Sequence, residues 1–263
     1  MGRFIASVIS LTVLTLSFPL MAQVPATDSA PPERVPPPPG NATAKELEQQ
    51  GDLLRSQKLF MDSVDYYRAA AKKADSAILH NKAGISLFTM LRDSEARKEY
   101  QQAIKIDKTY AEPHNNLGAL YYRAAKYGAA VSEYHKAIKL HEDNATFHSN
   151  LGAAYYSQKD YDGAMHEYMR AMQLDPNIFE RQPSGGSTVR LVTTGERGHL
   201  HYMMAQMYCL AGNLERCRFY LSKANEAGYP IKDALHDDQF ATMRKDPAFV
   251  EFVRSLKPPS SNE

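Results

Sequence analysis

Apolar and small residues recur mostly at spacings of three and four through the middle of the chain, the pattern of helices with one buried face. The clearest pair of predicted helices runs from Ala145 to Ser157 and from Tyr161 to Gln173. Only the short polar turn Gln158-Lys159-Asp160 separates them, so the two helices are expected to pack as antiparallel neighbours. The pattern predicts an all-α fold assembled from helical hairpins.

A period of about 34 residues governs this part of the chain. Four glycines are evenly spaced to within one position, and four alanines repeat the same intervals. A single hairpin would leave one apolar face uncovered, so successive hairpins are expected to stack side by side. The markers are Gly51, Gly84, Gly118 and Gly152, with Ala70, Ala103, Ala137 and Ala171.

Longer motifs recur around these markers. His-x-x-Leu-Gly-x-x-Tyr occurs at 114–121 and 148–155, and Ala-x-x-x-Tyr-x-x-Ala follows at 130–137 and 164–171. With this spacing the sequence resembles the tetratricopeptide repeat family, whose repeat has about 34 residues. Three units match closely, and the first is weaker. The family's opening Trp is systematically replaced, by His80, His114, His148 and His201.

Within each hairpin, small residues should lie where the two helices cross closely. In the best-preserved unit these are Gly152 and Ala164, and the large residues beside them are Tyr155 and Tyr168. Small residues against large ones let the two helices interlock.

The resemblance implies a right-handed superhelix of about five helix-turn-helix repeats with a C-terminal capping helix. A fifth copy follows an insertion, because the interval from Ala171 to Ala224 exceeds the period by the length of the segment 179–197. Asp246 and Pro247 are typical of a helix start, and that helix should run to about Leu256. The predicted organisation is a signal peptide at 1–22, a proline-rich linker at 23–43, four repeats within 44–178 (44–76, 77–110, 111–144 and 145–178), an inserted loop at 179–197, a fifth hairpin at 198–231, capping helices at 232–256 and a disordered tail at 257–263.

The first residues resemble a targeting segment. Arg3 precedes a mostly apolar stretch from Phe4 to Phe18, and small residues before Gln23 suit cleavage. The stretch is shorter than the ~20 residues of a membrane-spanning helix, so a cleaved secretory signal is favoured over a retained anchor. The linker that follows holds seven prolines between Gln23 and Thr43 and is interpreted as a spacer rather than as a ligand for a proline-binding domain. We expect an exported protein, periplasmic or extracellular, with no membrane span in the mature chain.

Composition excludes several classes of function. Lys and Arg number 31 against 30 Asp and Glu, which argues against a polybasic nucleic-acid binder. With 43% hydrophobic and 23% charged residues, the chain is neither wholly disordered nor a multispanning membrane protein. The catalytic and metal-binding motifs sought, such as His-Glu-x-x-His, Gly-x-Ser-x-Gly and Cys-x-x-Cys, do not occur, so no enzyme, cofactor or metal is predicted.

The repeated histidines and the two cysteines leave alternatives open. Histidines on successive hairpins rise in parallel and do not converge on one metal, so they are interpreted as packed aromatic substitutes for Trp rather than a metal or pH-sensing site. Cys209 and Cys217 lie on opposite helices of the fifth hairpin. They form either a disulfide, which an oxidising compartment would permit, or two buried small apolar side chains.

The resemblance also implies a binding site. In the family the first helix of each hairpin lines the concave face, which usually takes an extended peptide or a partner's helix. Amides can satisfy a peptide backbone and tyrosines offer rigid contact area, although Tyr122 and Tyr156 have a second interpretation as packing between repeats. Glu48 and Asp52 on this face of the first repeat would repel an acidic chain terminus. The candidate groove residues are Asn81, Glu112, Asn115, Tyr122, Arg123, Ser149 and Tyr156.

The sequence therefore predicts a non-enzymatic exported adaptor or scaffold that binds a protein or peptide of unknown identity in its concave groove. The alternative is a structural subunit of a cell-envelope assembly that uses the convex face or the 179–197 loop. A hydrolase hidden in the insert and last hairpin is the least favoured hypothesis.

Overall fold

The structure, a computed structural model, describes residues 34–179 and 194–256. The predicted signal peptide, most of the linker, most of the inserted loop and the C-terminal tail lie outside these residues. The chain divides into a unit at Met1–Val35 and a second unit from Pro36 onward, and only the second is described below.

Ten helices form five antiparallel hairpins, so the predicted all-α fold is confirmed. The part of the chain that the structure describes contains no strand. Helix α7 has the predicted bounds and α8 ends one residue beyond them. The hairpin helices are α1 (Ala44–Ser56), α2 (Phe60–Lys73), α3 (Ala77–Thr89), α4 (Asp93–Ile106), α5 (Glu112–Arg123), α6 (Tyr127–Leu140), α7 (Ala145–Ser157), α8 (Tyr161–Leu174), α9 (Thr194–Leu210) and α10 (Leu214–Glu226).

In each of the first four hairpins, a glycine of the first helix lies against a tyrosine ring of the second helix. A Cβ atom added at Gly152 would lie 2.7 Å from the ring of Tyr168, so only glycine allows the two helices to approach this closely. The predicted close crossing at Gly152 is confirmed, and Tyr168 is its large partner. The same contact joins Gly51 to Tyr67, Gly84 to Tyr100 and Gly118 to Tyr134.

The turn between the two helices of each hairpin also repeats. One residue in every turn has a positive φ, between 56° and 75°, which favours glycine. Only the fifth hairpin uses glycine there. The five residues are Lys58, Leu91, Ala125, Lys159 and Gly212.

Helix ends carry side-chain caps where the sequence offers them. Thr43 and Glu46 form a reciprocal capping box at the start of α1. Asp246 accepts a hydrogen bond from the Ala248 amide, and Pro247 occupies the first turn of the last helix, α11 (Pro247–Ser255), as predicted.

The fifth hairpin and the C-terminal segment share one core. Phe240 and Phe249 are fully buried and pack with Tyr202 and Tyr208 of α9. Helix α9 begins at Thr194, so the predicted insert boundary at Arg197 lies too far along the chain. The segment between α10 and α11 consists of three short 3₁₀ turns, at Ile231–Leu235, Asp238–Phe240 and Met243–Lys245, rather than further α-helices.

Within the described ranges 34–179 and 194–256, no helix has the length and apolar character that crossing a bilayer requires.

Candidate protein-binding groove

The first helices of neighbouring hairpins lie side by side. Helix α5 contacts α3 on one side and α7 on the other, and α1 continues the row at the N-terminal end through the ion pairs described below. We call the surface formed by α1, α3, α5 and α7 the inner face. Polar side chains bridge its helices at steps of 34 or 35 residues, one repeat length, so each repeat holds the groups of the next in place.

A chain of asparagine side chains crosses the middle of the inner face. Asn150 donates to Asn115 at 2.8 Å, and Asn115 donates to its neighbour Asn116 at 3.3 Å. Asn116 donates to Asn81 at 2.9 Å, and Asn81 donates to the hydroxyl of Tyr110 at 3.1 Å. Because each carboxamide both donates and accepts, the row satisfies polar groups that the stacking buries.

Two predicted groove residues therefore have a different environment from the one expected. Asn81 and Asn115 are only 4% and 9% exposed, because they hydrogen-bond across the interface between repeats. Their carboxamides tie three hairpins together, and Asn116, which sequence reasoning missed, is the more accessible amide of the row.

The N-terminal end of the inner face carries a compact charge cluster. Lys82 Nζ donates to Glu48 Oε1 and to Asp52 Oδ2, both at 2.7 Å. Burial opposes the charged form of Lys82, but the two carboxylates outweigh it and raise the pKa of its ammonium group. The predicted repulsion of an acidic terminus by Glu48 and Asp52 is therefore weakened, since the lysine of the next repeat lies between them.

Arg123 bridges the second and third hairpins where α3 and α5 end. Its guanidinium lies 3.5 Å above the centre of the Phe88 ring and donates to the Phe88 carbonyl at 2.9 Å. It also forms an ion pair with Asp93. Stacking and pairing hold this long side chain in one orientation.

The C-terminal end of the inner face is aromatic. The hydroxyls of Tyr122 and Ser157 hydrogen-bond at 2.9 Å, and Tyr156 contacts His199 Nδ1 at 3.2 Å. The His199 ring also lies 4.2 Å from the ring of Tyr161, and burial lowers the pKa of His199. Tyr156 is only 5% exposed, so the packing interpretation describes its environment, whereas Tyr122 is half-buried.

The predicted groove residues thus separate into two environments. Asn81, Asn115 and Tyr156 are buried between repeats and position their neighbours. Glu112, Tyr122 and Ser149 are half-buried and Arg123 is exposed, so these four remain accessible from the inner face. Their role in binding a partner stays a prediction.

Three of the repeated histidines are not apolar substitutes for Trp. His80, His114 and His148 each donate through Nδ1 to a glutamate on the second helix of the same hairpin, at 2.6, 2.7 and 2.6 Å. The packed-aromatic interpretation is therefore wrong for these hairpins. The partners, Glu99, Glu133 and Glu167, recur in the sequence with the period of the histidines.

Two of these glutamates, Glu99 and Glu133, have a lowered pKa because of their partners. Burial alone would raise the pKa of Glu99, but hydrogen bonds from His80 and Arg68 outweigh it and lower the pKa. Glu133 behaves in the same way with His114 and Lys136. The fifth hairpin differs because Tyr220 takes the glutamate position, and there the His201 ring lies 6.0 Å from the tyrosine ring.

The remaining candidate chemistry is structural. Cys209 and Cys217 form a disulfide across the turn of the fifth hairpin, with Cα atoms 5.1 Å apart. Across residues 34–179 and 194–256, no three or more His, Cys, Asp or Glu side chains converge in an arrangement that could hold a metal ion.

Comparison with known proteins gives the class of the repeats. Residues 92–124 and 126–159 match a TPR repeat model, and residues 145–178 match a tetratricopeptide repeat model. The structure is similar to that of pilF from Pseudomonas aeruginosa, with 17% identity and a TM-score of 0.52 over 80% of this chain and 88% of that one. The chain therefore contains tetratricopeptide repeats in a superhelical fold.

Two further solved structures are similar at a lower score. MamA shares 20% identity with a TM-score of 0.48, covering 67% of this chain and 93% of that one. YrrB, described as a TPR protein with an unusual peptide-binding site, shares 16% identity with a TM-score of 0.47, covering 77% of this chain and 91% of that one. No curated protein sequence matches the chain.

Proposed function

We propose that this protein is an exported adaptor that binds a peptide or a partner's helix along its inner face, reversibly and without chemical turnover. Tetratricopeptide repeats are protein-interaction modules, and the chain carries them in consecutive copies. The observation that carries the proposal is the row of polar bridges that fixes the inner face from Glu48 to Ser157.

This row matters because it orders the surface before any partner arrives. Long or rotatable side chains normally lose conformational entropy when a partner immobilises them. Lys82 and Arg123 are already held by the neighbouring repeat, as are the carboxamides between them. A partner would therefore meet a preorganised surface, with charged groups at one end and tyrosine rings at the other.

Two observations support export. Residues 1–22 have the composition of a secretory signal. The Cys209–Cys217 disulfide suits an oxidising compartment, such as the periplasm or the extracellular space.

A matched pair of photocrosslinking variants tests where a partner binds. Ser149 lies half-buried on the inner face, and Ser132 is exposed on α6, the second helix of hairpin 3. With p-benzoylphenylalanine at each position in the native envelope, the proposal expects a defined crosslinked partner from Ser149 and none from Ser132. The reverse pattern would favour the alternative, a structural subunit that uses its outer surface.

Replacing residues 180–193 with a Gly/Ser linker of equal length tests the alternative separately and leaves Phe179 and α9 intact. An adaptor should still yield the Ser149 crosslink without this segment. A subunit anchored through the segment should instead leave its assembly, which size-exclusion chromatography of envelope extracts would show.

A further inference from the structure

The fifth hairpin does not continue the register of the first four. In the regular part of the fold, Tyr122 contacts Ser157, 35 residues further along. Tyr156 is the equivalent residue of the next repeat, and once the inserted segment 179–197 is counted its regular partner would be Leu210. Its hydroxyl contacts His199 Nδ1 at 3.2 Å, 11 positions before Leu210 in α9. Helix α9 therefore does not dock on the fourth hairpin as α7 docks on the third: Tyr161 at the start of α8 lies beside His199, and the C-terminal halves of α8 and α9 share a cavity.

The irregular interface lies at the junction between the fourth and fifth hairpins. There α8 and α9 contact each other more sparsely than the corresponding helices of earlier repeats.

A cavity of about 390 Å³ lies between the C-terminal halves of α8 and α9 at this irregular interface. Met169 and Met172 line it from α8, and Met207, Tyr208 and Leu210 line it from α9. Leu210 is 47% exposed, so one side opens to solvent. The volume falls at the lower end of the range for small-molecule sites, ~300 to 1,000 Å³.

The residues that line the cavity favour an uncharged ligand. Among the described residues, no charged side chain borders the cavity, and the polar groups are the carboxamides of Gln173 and Asn213 and the hydroxyl-bearing Tyr208. An ion would lose its hydration there without a counter-charge. Methionine side chains adapt to irregular shapes, and their sulfur atoms make favourable contacts with aromatic rings.

The α9 wall is tied in place. Cys209 lies between Tyr208 and Leu210, and its disulfide to Cys217 joins α9 to α10 immediately behind the cavity. The adaptable side chains of Met169 and Met172 on α8 therefore face a wall whose position is fixed, an arrangement suited to ligands that vary in shape but not in polarity.

We propose that this cavity is a binding site for a small neutral aromatic molecule, separate from the inner face. Occupancy would fill the space between the C-terminal halves of α8 and α9. The site would therefore work whether or not the inner face binds a peptide.

The neutral fluorophore N-phenyl-1-naphthylamine tests the proposal with the whole mature chain. The expected result is saturable binding of one probe per chain, with ¹³C-methyl resonance shifts for Met169, Met172 and Met207 and none for Met61. Failure to saturate, or shifts that leave these three methyl groups unchanged, would overturn the proposal.

A matched pair of substitutions locates the probe independently. Ala211→Phe places a ring into the cavity from the α9 end, whereas Ala129→Phe places the same ring on exposed α6. We expect Ala211→Phe to weaken probe binding at least ~10-fold, about 1.4 kcal/mol, and Ala129→Phe to leave the Kd within about twofold. Circular dichroism checks that both variants are folded. Equal Kd values for the two folded variants would contradict the assignment.

Discussion

Gly118 lies directly against the ring of Tyr134, so closely that a Cβ atom added to the glycine would fall 2.5 Å from the ring carbon Cε1. The ring cannot retreat, because Tyr134 is fully buried between the two helices of its hairpin. The contact recurs in four hairpins and sets the distance between their helices. This contact explains why a glycine recurs once in each of these repeats.

The substitution Gly118→Ala should therefore destabilise the protein although alanine is the better helix former. Forcing an extra methyl group into a packed interface typically lowers the free energy of unfolding by ~1 to 3 kcal/mol. Gly128→Ala is the control, because the nearest atom to its added Cβ would be 3.7 Å away. Gly128 lies in the first turn of α6, and the same change there should stabilise by up to about 1 kcal/mol. Urea unfolding of both variants measures the difference, and equal effects would contradict the steric argument.

Much of the fold could be predicted because its determinants are local and periodic. The interval between Gly84 and Gly118 reports one structural unit, and the small polar turn before Tyr161 gives the helix boundary. The docking of α9 on the fourth hairpin could not be predicted in this way. It is a non-local geometry without a periodic signal.

The candidate site was predicted less completely, for a different reason. Position within the repeat showed which helices form the inner face but not how their side chains pair. Asn115 and Asn116 are adjacent in sequence, yet Asn115 is buried and bonds Asn150 of the next repeat, whereas Asn116 is half-buried and bonds Asn81 of the preceding one. His148 could have been paired with Glu167, since both recur with the same period.

The turns offer a second prediction. Leu91 has a φ of 61° and is 73% exposed, so its side chain gains little from burial in an unfavourable backbone conformation. Leu91→Gly should raise the free energy of unfolding by about 1 kcal/mol, because a left-handed residue with a Cβ costs ~1 to 2 kcal/mol. Leu91→Ala is the control, since it shortens the side chain but keeps the Cβ atom. Thermal unfolding should show a higher Tm for the glycine variant, and a gain in the alanine variant as large as in the glycine one would refute this account.

The His80–Glu99 pair predicts a specific dependence of stability on pH. The hydrogen bond to Glu99 raises the pKa of His80 above its ordinary value of about 6.5. The stabilisation that His80 contributes to the folded state is therefore complete below about pH 6.5 and is lost as the pH rises through the raised pKa. Glu99 has a lowered pKa, so its contribution is present above about pH 4.3 and is lost as the pH falls through that lowered value.

The pair should consequently stabilise most between about pH 4.5 and 6.5. His80→Phe should remove this dependence, so its deficit relative to the parent chain should be larger at about pH 5.5 than at about pH 8.5. His201 supplies a control of opposite sign, because burial lowers its pKa. The neutral form of His201 is favoured in the folded state, so folding opposes its protonation at low pH. His201→Phe should therefore raise the free energy of unfolding more at about pH 5.5 than at about pH 8.5. Denaturant unfolding at both pH values measures these differences, and a His80→Phe deficit independent of pH would argue against the ion pair.

The disulfide of the fifth hairpin supplies the last prediction. Cys209 and Cys217 close a short loop around Gly212, and both sulfur atoms are buried in the C-terminal core. The chain-entropy model assigns such a loop roughly 2 to 3 kcal/mol of stabilisation. Cys209→Ala/Cys217→Ala should therefore lower the free energy of unfolding by about this amount, and dithiothreitol should destabilise the parent chain but not the double variant. Two free thiols in the denatured protein, isolated from an oxidising compartment without reductant, would show instead that the cysteines are unbonded and that their role is to fill the core.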